Sequence, residues 1–173
     1  MFPKAHAAAY VMMAWRVAYC KVNYPLAYYS AYFSIRAVGG FSYEIMCQGQ
    51  AHLEAIMADY KKRSDSLSNK EQDCMRDMRL VQEMYARGFE FMPIDIFRSH
   101  SRNFQIVDGK ILPSLSSIDG LGEKAADAIM EAAKDGPFLS KDDFRSRTKV
   151  SKTIIDLMGT LGLLGDIPES NQI

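Results

Sequence analysis

The chain has 173 residues, with 21 Lys+Arg balanced by 21 Asp+Glu, so its net charge of zero makes no global electrostatic case for nucleic acid. Hydrophobic residues make up 48 % of it, enough for a real core and unlike a disordered chain. Cys20, Cys47 and Cys74 are far apart, with neither metal-ligand spacing nor a disulfide framework, and the apolar start, interrupted by Lys4, His6 and Arg16, is too short and polar to span a bilayer.

The expectation is therefore a cytoplasmic protein with reduced thiols, no membrane partner and only local charge available for any DNA contact. In chain order, Ala5 to Val22 reads as a helix rich in Ala and Met, without internal Gly or Pro. Tyr24-Pro25 breaks it, and Pro25 opens a second helix to about Arg36, closed by Gly39-Gly40. Both helices are apolar on nearly every side, which predicts burial against a partner surface, part of it outside this chain. In isolation, Ala5 to Arg36 is expected to be partly exposed or aggregation-prone.

A third helix is predicted over His52 to Lys62. The fourth begins at a capping box, Ser68 with Glu71, and carries Met75, Met78, Val81 and Met84 as an apolar stripe read as core before stopping at Gly88. The pattern then turns extended. Ile94-Asp95-Ile96-Phe97 alternates, and Phe104 to Val107, Asp108-Gly109 and Lys110 to Leu112 spell a hairpin. His52 and His100 have no partners in sequence and take ordinary surface or core roles by default.

The most informative stretch runs from Leu115 to Ile129. A short apolar helix is expected first, then Gly120-Leu121-Gly122, then a helix with Ala125 and Ala126 on its close-packed side. Gly120 can take the positive φ of a tight turn, and Leu121 can plug that turn into the core. Gly122 leaves the free N–H groups of the next helix unobstructed, with Glu123 and Lys124 in its first turn, where a phosphate oxygen can bind. This pattern resembles the helix-hairpin-helix family, whose hairpins grip the DNA backbone through main-chain amides without reading sequence. The bland alternative is a glycine-turned helical hairpin with no ligand.

A degenerate second copy follows. Ser140 and Asp143 suggest a capping box for a helix through Phe144, and Lys149-Val150-Ser151 stands where Gly-Leu-Gly stands in the first copy, before a helix over Thr153 to Leu161 that Gly162 stops. Ser151 is read as the cap, while Lys149 and Lys152 bring charge to the same end. A lysine at the turn position counts against strict equivalence, because positive φ is strained for it. A solvated surface is the alternative for these basic residues.

The chain's start carries a further resemblance. Phe2-Pro3-Lys4-Ala5-His6, Ala18-Tyr19-Cys20-Lys21-Val22-Asn23-Tyr24-Pro25, Tyr28 to Ala37, Arg87-Gly88-Phe89 and Ile94 to Ser99 resemble the PolC branch of bacterial C-family replicative DNA polymerases. The tail from Leu164 to Gln172 is similar to that family's C-terminal end. The resemblance implies a fragment of such a polymerase, mainly α. It would comprise a helical fingers piece over 1–92, short strands and a hairpin over 93–112, and a tandem helix-hairpin-helix domain over 113–173.

It further implies a catalytic palm upstream, whose acidic residues hold magnesium, leaving no catalytic residue, metal site or cofactor in this chain. Lys4 and His6 would lie near the incoming nucleotide in the intact enzyme, with Tyr10 and Arg16 on the same groove or in ordinary packing. The implied partners are primer-template DNA and the remaining polymerase domains. Two rival readings are a free-standing helix-hairpin-helix module of the repair or recombination kind and a purely structural interaction domain.

Overall fold

A computed structural model describes residues 3–37, 39–63 and 66–170. Phe2 of the N-terminal motif and Gln172 of the tail lie outside the described residues. The described fold is mainly α: α1 (Lys4–Asn23), α2 (Pro25–Ile35), α3 (Tyr43–Met46), α4 (Gln50–Lys62), α5 (Asn69–Ala86), strands β1 (Gln105–Val107) and β2 (Lys110–Leu112), then α6 (Glu123–Ala133), α7 (Lys141–Thr148) and α8 (Lys152–Thr160).

The sequence signals explain most of these boundaries. Pro25 stands at the first turn of α2, where its missing N–H is not needed. Ser68 caps α5 with both arms of the box formed: its Oγ accepts from the Glu71 amide at 3.3 Å, and Glu71 accepts from the Ser68 amide at 2.9 Å. The β1–β2 hairpin pairs Ile106 with Ile111, and both turn residues, Asp108 and Gly109, have positive φ, as a two-residue primed turn requires.

One element differs from expectation. Ile94 to Phe97 forms no strand; Asp95 turns the chain, accepting the Phe97 amide on its side chain at 2.9 Å and the Arg98 and Ser99 amides on its carbonyl. The extended pairing sits upstream instead, where Phe91 bridges Ile111 in parallel fashion along β2. Ile94 and Ile96 are nonetheless buried, so the alternation marked burial without a strand partner.

Two hydrophobic clusters hold the chain. The first gathers Tyr29 and Phe33 of α2, Leu53 and Met57 of α4 and the Met75, Met78, Val81 and Met84 stripe of α5. It is closed by Phe33, Phe41, Phe91 and Phe104, whose ring centroids lie 4.9–6.4 Å apart. The second gathers Leu115, Ile118, Leu121, Ile129, Phe144, Val150, Ile155 and Met158, and takes Tyr43, Ile94 and Ile96 from the upstream half. Cys47 packs against both.

By contrast, α1 buries no residue. Tyr10, Met12, Met13, Trp15, Val17 and Tyr19 are all more than half exposed. It is tied down at its C-terminal end, where Lys21 pairs with Glu83 of α5 at 2.7 Å and Arg87 donates to the Lys21 carbonyl. The expected shortage of partner surface for the first helix is thus visible, whereas α2 is anchored through Tyr29 and Phe33.

Candidate functional site

The second cluster positions two helix-opening turns. Before the first turn, the predicted apolar helix is a single 3₁₀ turn, Leu115–Ser117, rather than an α-helix. The Leu121 amide then donates to the Ile118 carbonyl at 3.0 Å, closing a four-residue turn with Gly120 at φ 80° in the third position. A turn of that kind needs a residue that accepts positive φ there. Leu121 is buried beneath it, and α6 starts at Glu123 with Gly122 as its cap residue.

The two glycines do different work. A Cβ on Gly120 would stand 3.0 Å from Ile154 Cδ1 of α8, so this position serves both the turn and the close approach of the second hairpin. Gly122 sits at φ −70°, ψ 157°, ordinary extended backbone, and a Cβ there would meet nothing within 4 Å. Neither torsion nor packing within the chain requires a glycine at 122. Among the described residues no group accepts from the amides of Gly122, Glu123 and Lys124, which leaves three N–H groups without a partner there at a positive helix end.

The second hairpin reproduces this geometry with other residues. Lys149 lies in the left-handed region at φ 59°, Val150 is buried, and Ser151 at φ −67°, ψ 151° precedes α8. Lys149 shares the positive φ of Gly120, and Ser151 shares the extended φ and ψ of Gly122. The strain expected of a lysine here is real, about 1–2 kcal/mol. It is sustained by the Lys149 amide donating to Arg145, and by Thr148 Oγ1 bonding both the Phe144 carbonyl and the Val150 amide.

Two local expectations need correction. Ser151 makes no side-chain cap, so the amides of Ser151, Lys152 and Thr153 stay open. Ser140 does accept from the Asp143 amide, but Asp143 reaches back to the Leu139 amide rather than to Ser140, so the box is not reciprocal.

Charge is distributed unevenly around the two turns. At the first, Arg102 bridges Glu123 at 3.2 Å and Asp127 at 2.5 Å, offsetting the acidic first turn and holding the Asp127 carboxyl below its ordinary range. Lys124 is exposed beside it. Sequence reasoning missed Arg102 because it comes from the loop before β1. It also missed Asp119, which accepts from Ser42, the cap of α3, at 2.5 Å and so ties the turn to the upstream half. At the second, Lys149 and Lys152 are both exposed.

Lys4 opens α1 and is exposed; His6, in the first turn, has its ring centroid 4.5 Å from that of Tyr10, tilted by 50°. They stand on an element that buries no residue. Arg16 lines the groove between α1 and α2 with Tyr28 and Tyr32, while Tyr10 does not. His100 is structural: its Nδ1 accepts the Arg102 and Asn103 amides. His52 lies exposed on α4.

Comparison with known proteins extends this picture. A family profile described as a helix-hairpin-helix motif matches residues 88–172. The whole chain is 46 % identical to a DNA polymerase III of PolC type from Streptococcus suis, 43 % identical to one from Bacillus cereus and 42 % identical to one from Caldanaerobacter subterraneus. In each case it spans all of this chain and 12 % of the relative.

Proposed function

We propose that this chain, homologous along its whole length to a segment of the PolC-type DNA polymerases III, serves a replicative DNA-directed DNA polymerase by gripping the duplex backbone through two paired hairpins. The observation that carries the reading is Gly122, a glycine that the chain's own geometry does not need, set before three open amides. A ligand that approaches the backbone closely accounts for it, and a phosphodiester oxygen fits the donors and the helix-end charge. Gly120, Leu121, Gly122, Glu123 and Lys124 form the first contact, and Lys149, Val150, Ser151 and Lys152 the second.

In this reading the upstream helices belong to the fingers. Lys4 and His6 would face the incoming nucleotide once the remaining polymerase domains cover α1. The similarity to polymerases extends over α1 to α5, outside the helix-hairpin-helix profile, and that favours a polymerase piece over a free-standing repair or recombination module. The described residues hold no group of three or more His, Cys, Asp or Glu side chains placed for a metal ion. Among the described residues no helix is long and apolar enough to cross a membrane.

The test is duplex binding by Gly122→Val in the full chain. Added bulk should block the amides and weaken binding about tenfold or more, while the fold stays within about 1 kcal/mol of the unaltered protein. A folded Gly122→Val chain that binds as tightly as the unaltered one would leave the purely structural reading in its place.

A further inference from the structure

Helix α7 and the turn between it and α8 form a cleft of about 450 Å³ lined by Asp142, Arg145, Ser146, Lys149, Val150 and Ser151. Four arginine or lysine side chains stand in or next to it, and they fall into two classes. Arg147 is fully engaged: its guanidinium bonds the carbonyls of Ala132, Gly136 and Pro137 and lies 4.3 Å over the Phe138 ring. It closes the C-terminal end of α6 and is not available to a ligand. Arg145, Lys149 and Lys152 are exposed and make no ion pair or side-chain hydrogen bond with any described residue.

Lys21, Arg63, Arg76, Arg87, Arg102, Lys110, Lys134 and Lys141 each have a carboxylate partner, whereas Arg145, Lys149 and Lys152 stand around one cleft without one among the described residues. In a chain of zero net charge, a patch of three uncompensated cations around one cleft is a local concentration of positive potential. Asp142 is the one acid in the lining, and its backbone amide is tied to the Glu169 carbonyl.

We propose that Arg145 is a further phosphate-contacting residue, acting with Lys149 across this cleft, so that the second hairpin supplies the salt-dependent share of duplex binding and the first supplies main-chain capture. The inference rests on the DNA reading above and deepens it. Arg145 presents a planar fork suited to two phosphate oxygens, and Lys149 a point charge one helical turn further on. The first hairpin offers no matching pair, because Arg102 is already held by Glu123 and Asp127. The asymmetry predicts that the two hairpins respond differently to salt.

The experiment is duplex affinity across a salt series for the full chain, with Arg145→Gln, Lys149→Asn and, as control, Lys110→Gln, whose cation is paired with Glu90. Asparagine is chosen at 149 because it tolerates the left-handed conformation. Arg145→Gln and Lys149→Asn should each weaken binding about threefold to fivefold at moderate salt and lower the slope of log affinity against log salt by about one. Lys110→Gln should leave the slope unchanged. The proposal is overturned if both cleft variants keep the parent slope while Gly122→Val still loses binding, or if Lys110→Gln lowers the slope as much as Arg145→Gln does. No binding by the unaltered chain at low salt would instead remove the DNA reading itself, and this inference with it.

Discussion

Gly122 and Lys149 depart from opposite rules. The first is a glycine where any residue would fit, and the second is a lysine where glycine is favoured. Replacing Lys149 by glycine should therefore raise stability by about 1 kcal/mol, since the steric cost of the left-handed residue exceeds the extra freedom glycine gives the unfolded chain. Thermal unfolding of Lys149→Gly checks it, and a lower melting temperature would show that the side chain packs rather than strains. The sequence made the Gly-Leu-Gly turn legible, but it could not separate Gly120, required by torsion and by Ile154, from Gly122, required by neither. That distinction depends on what lies opposite each Cα, which residue type alone does not record.

Asp77 is a second residue-scale feature that the sequence concealed, because it sits within the polar-looking side of a helical pattern. It is fully buried; Tyr32 donates to one oxygen at 3.2 Å, the other has no partner among the described residues, and Gly40 lies close enough that a Cβ there would touch it. Burial holds its carboxyl above the ordinary range, with the Tyr32 bond and Arg76 acting in the other direction. A raised value means that the folded state prefers the proton. The associated stability is complete below the unfolded carboxylate range and is lost as pH rises through the folded value. Asp77→Asn should accordingly stabilise the chain at neutral pH and flatten that part of the stability–pH curve. Denaturant midpoints at several pH values test this, and an unchanged difference between mildly acidic and neutral pH would refute it.

At the scale of elements, the α5 capping box, its periodicity and the β1–β2 hairpin were read well, while the Ser140 box, the Ser151 cap and the Ile94 to Phe97 strand were not. The Ser68–Glu71 box and the methionine stripe of α5 stand as expected because both depend on near neighbours in sequence. Ser68→Ala should cost about 1 kcal/mol and Met78→Ala about 2–5 kcal/mol, a ratio that urea titration of the two variants can establish. Ile94 to Phe97 was misread because strand character needs a partner, and Asp95 takes the local amides first. The same limit applies to Ser151: its type suits a cap, but its side chain does not turn to the helix, and the open amides that result are what the proposed phosphate contact uses.

For the whole molecule, the hairpins are part of a larger packing unit. Tyr43, Ile94 and Ile96 enter the hairpin cluster from upstream, Cys47 touches both clusters, and the Ser42–Asp119 bond joins the cap of α3 to the first turn. A composition of zero net charge gave no hint of a basic surface, since balance over the chain does not show which cations are paired and which, like Arg145, Lys149 and Lys152, stand together without a carboxylate partner among the described residues. The exposed apolar surface of α1 was foreseen from its unpatterned hydrophobicity, and Val17 and Cys20 of it line an apolar groove of about 840 Å³ against α2.

The central claim is that the open amides behind Gly122 hold a DNA phosphate, and duplex binding by the unaltered chain beside folded Gly122→Val tests it most directly. Salt-sensitive binding is expected in the first and a loss of about tenfold or more in the second. Equal affinity in the two would contradict it.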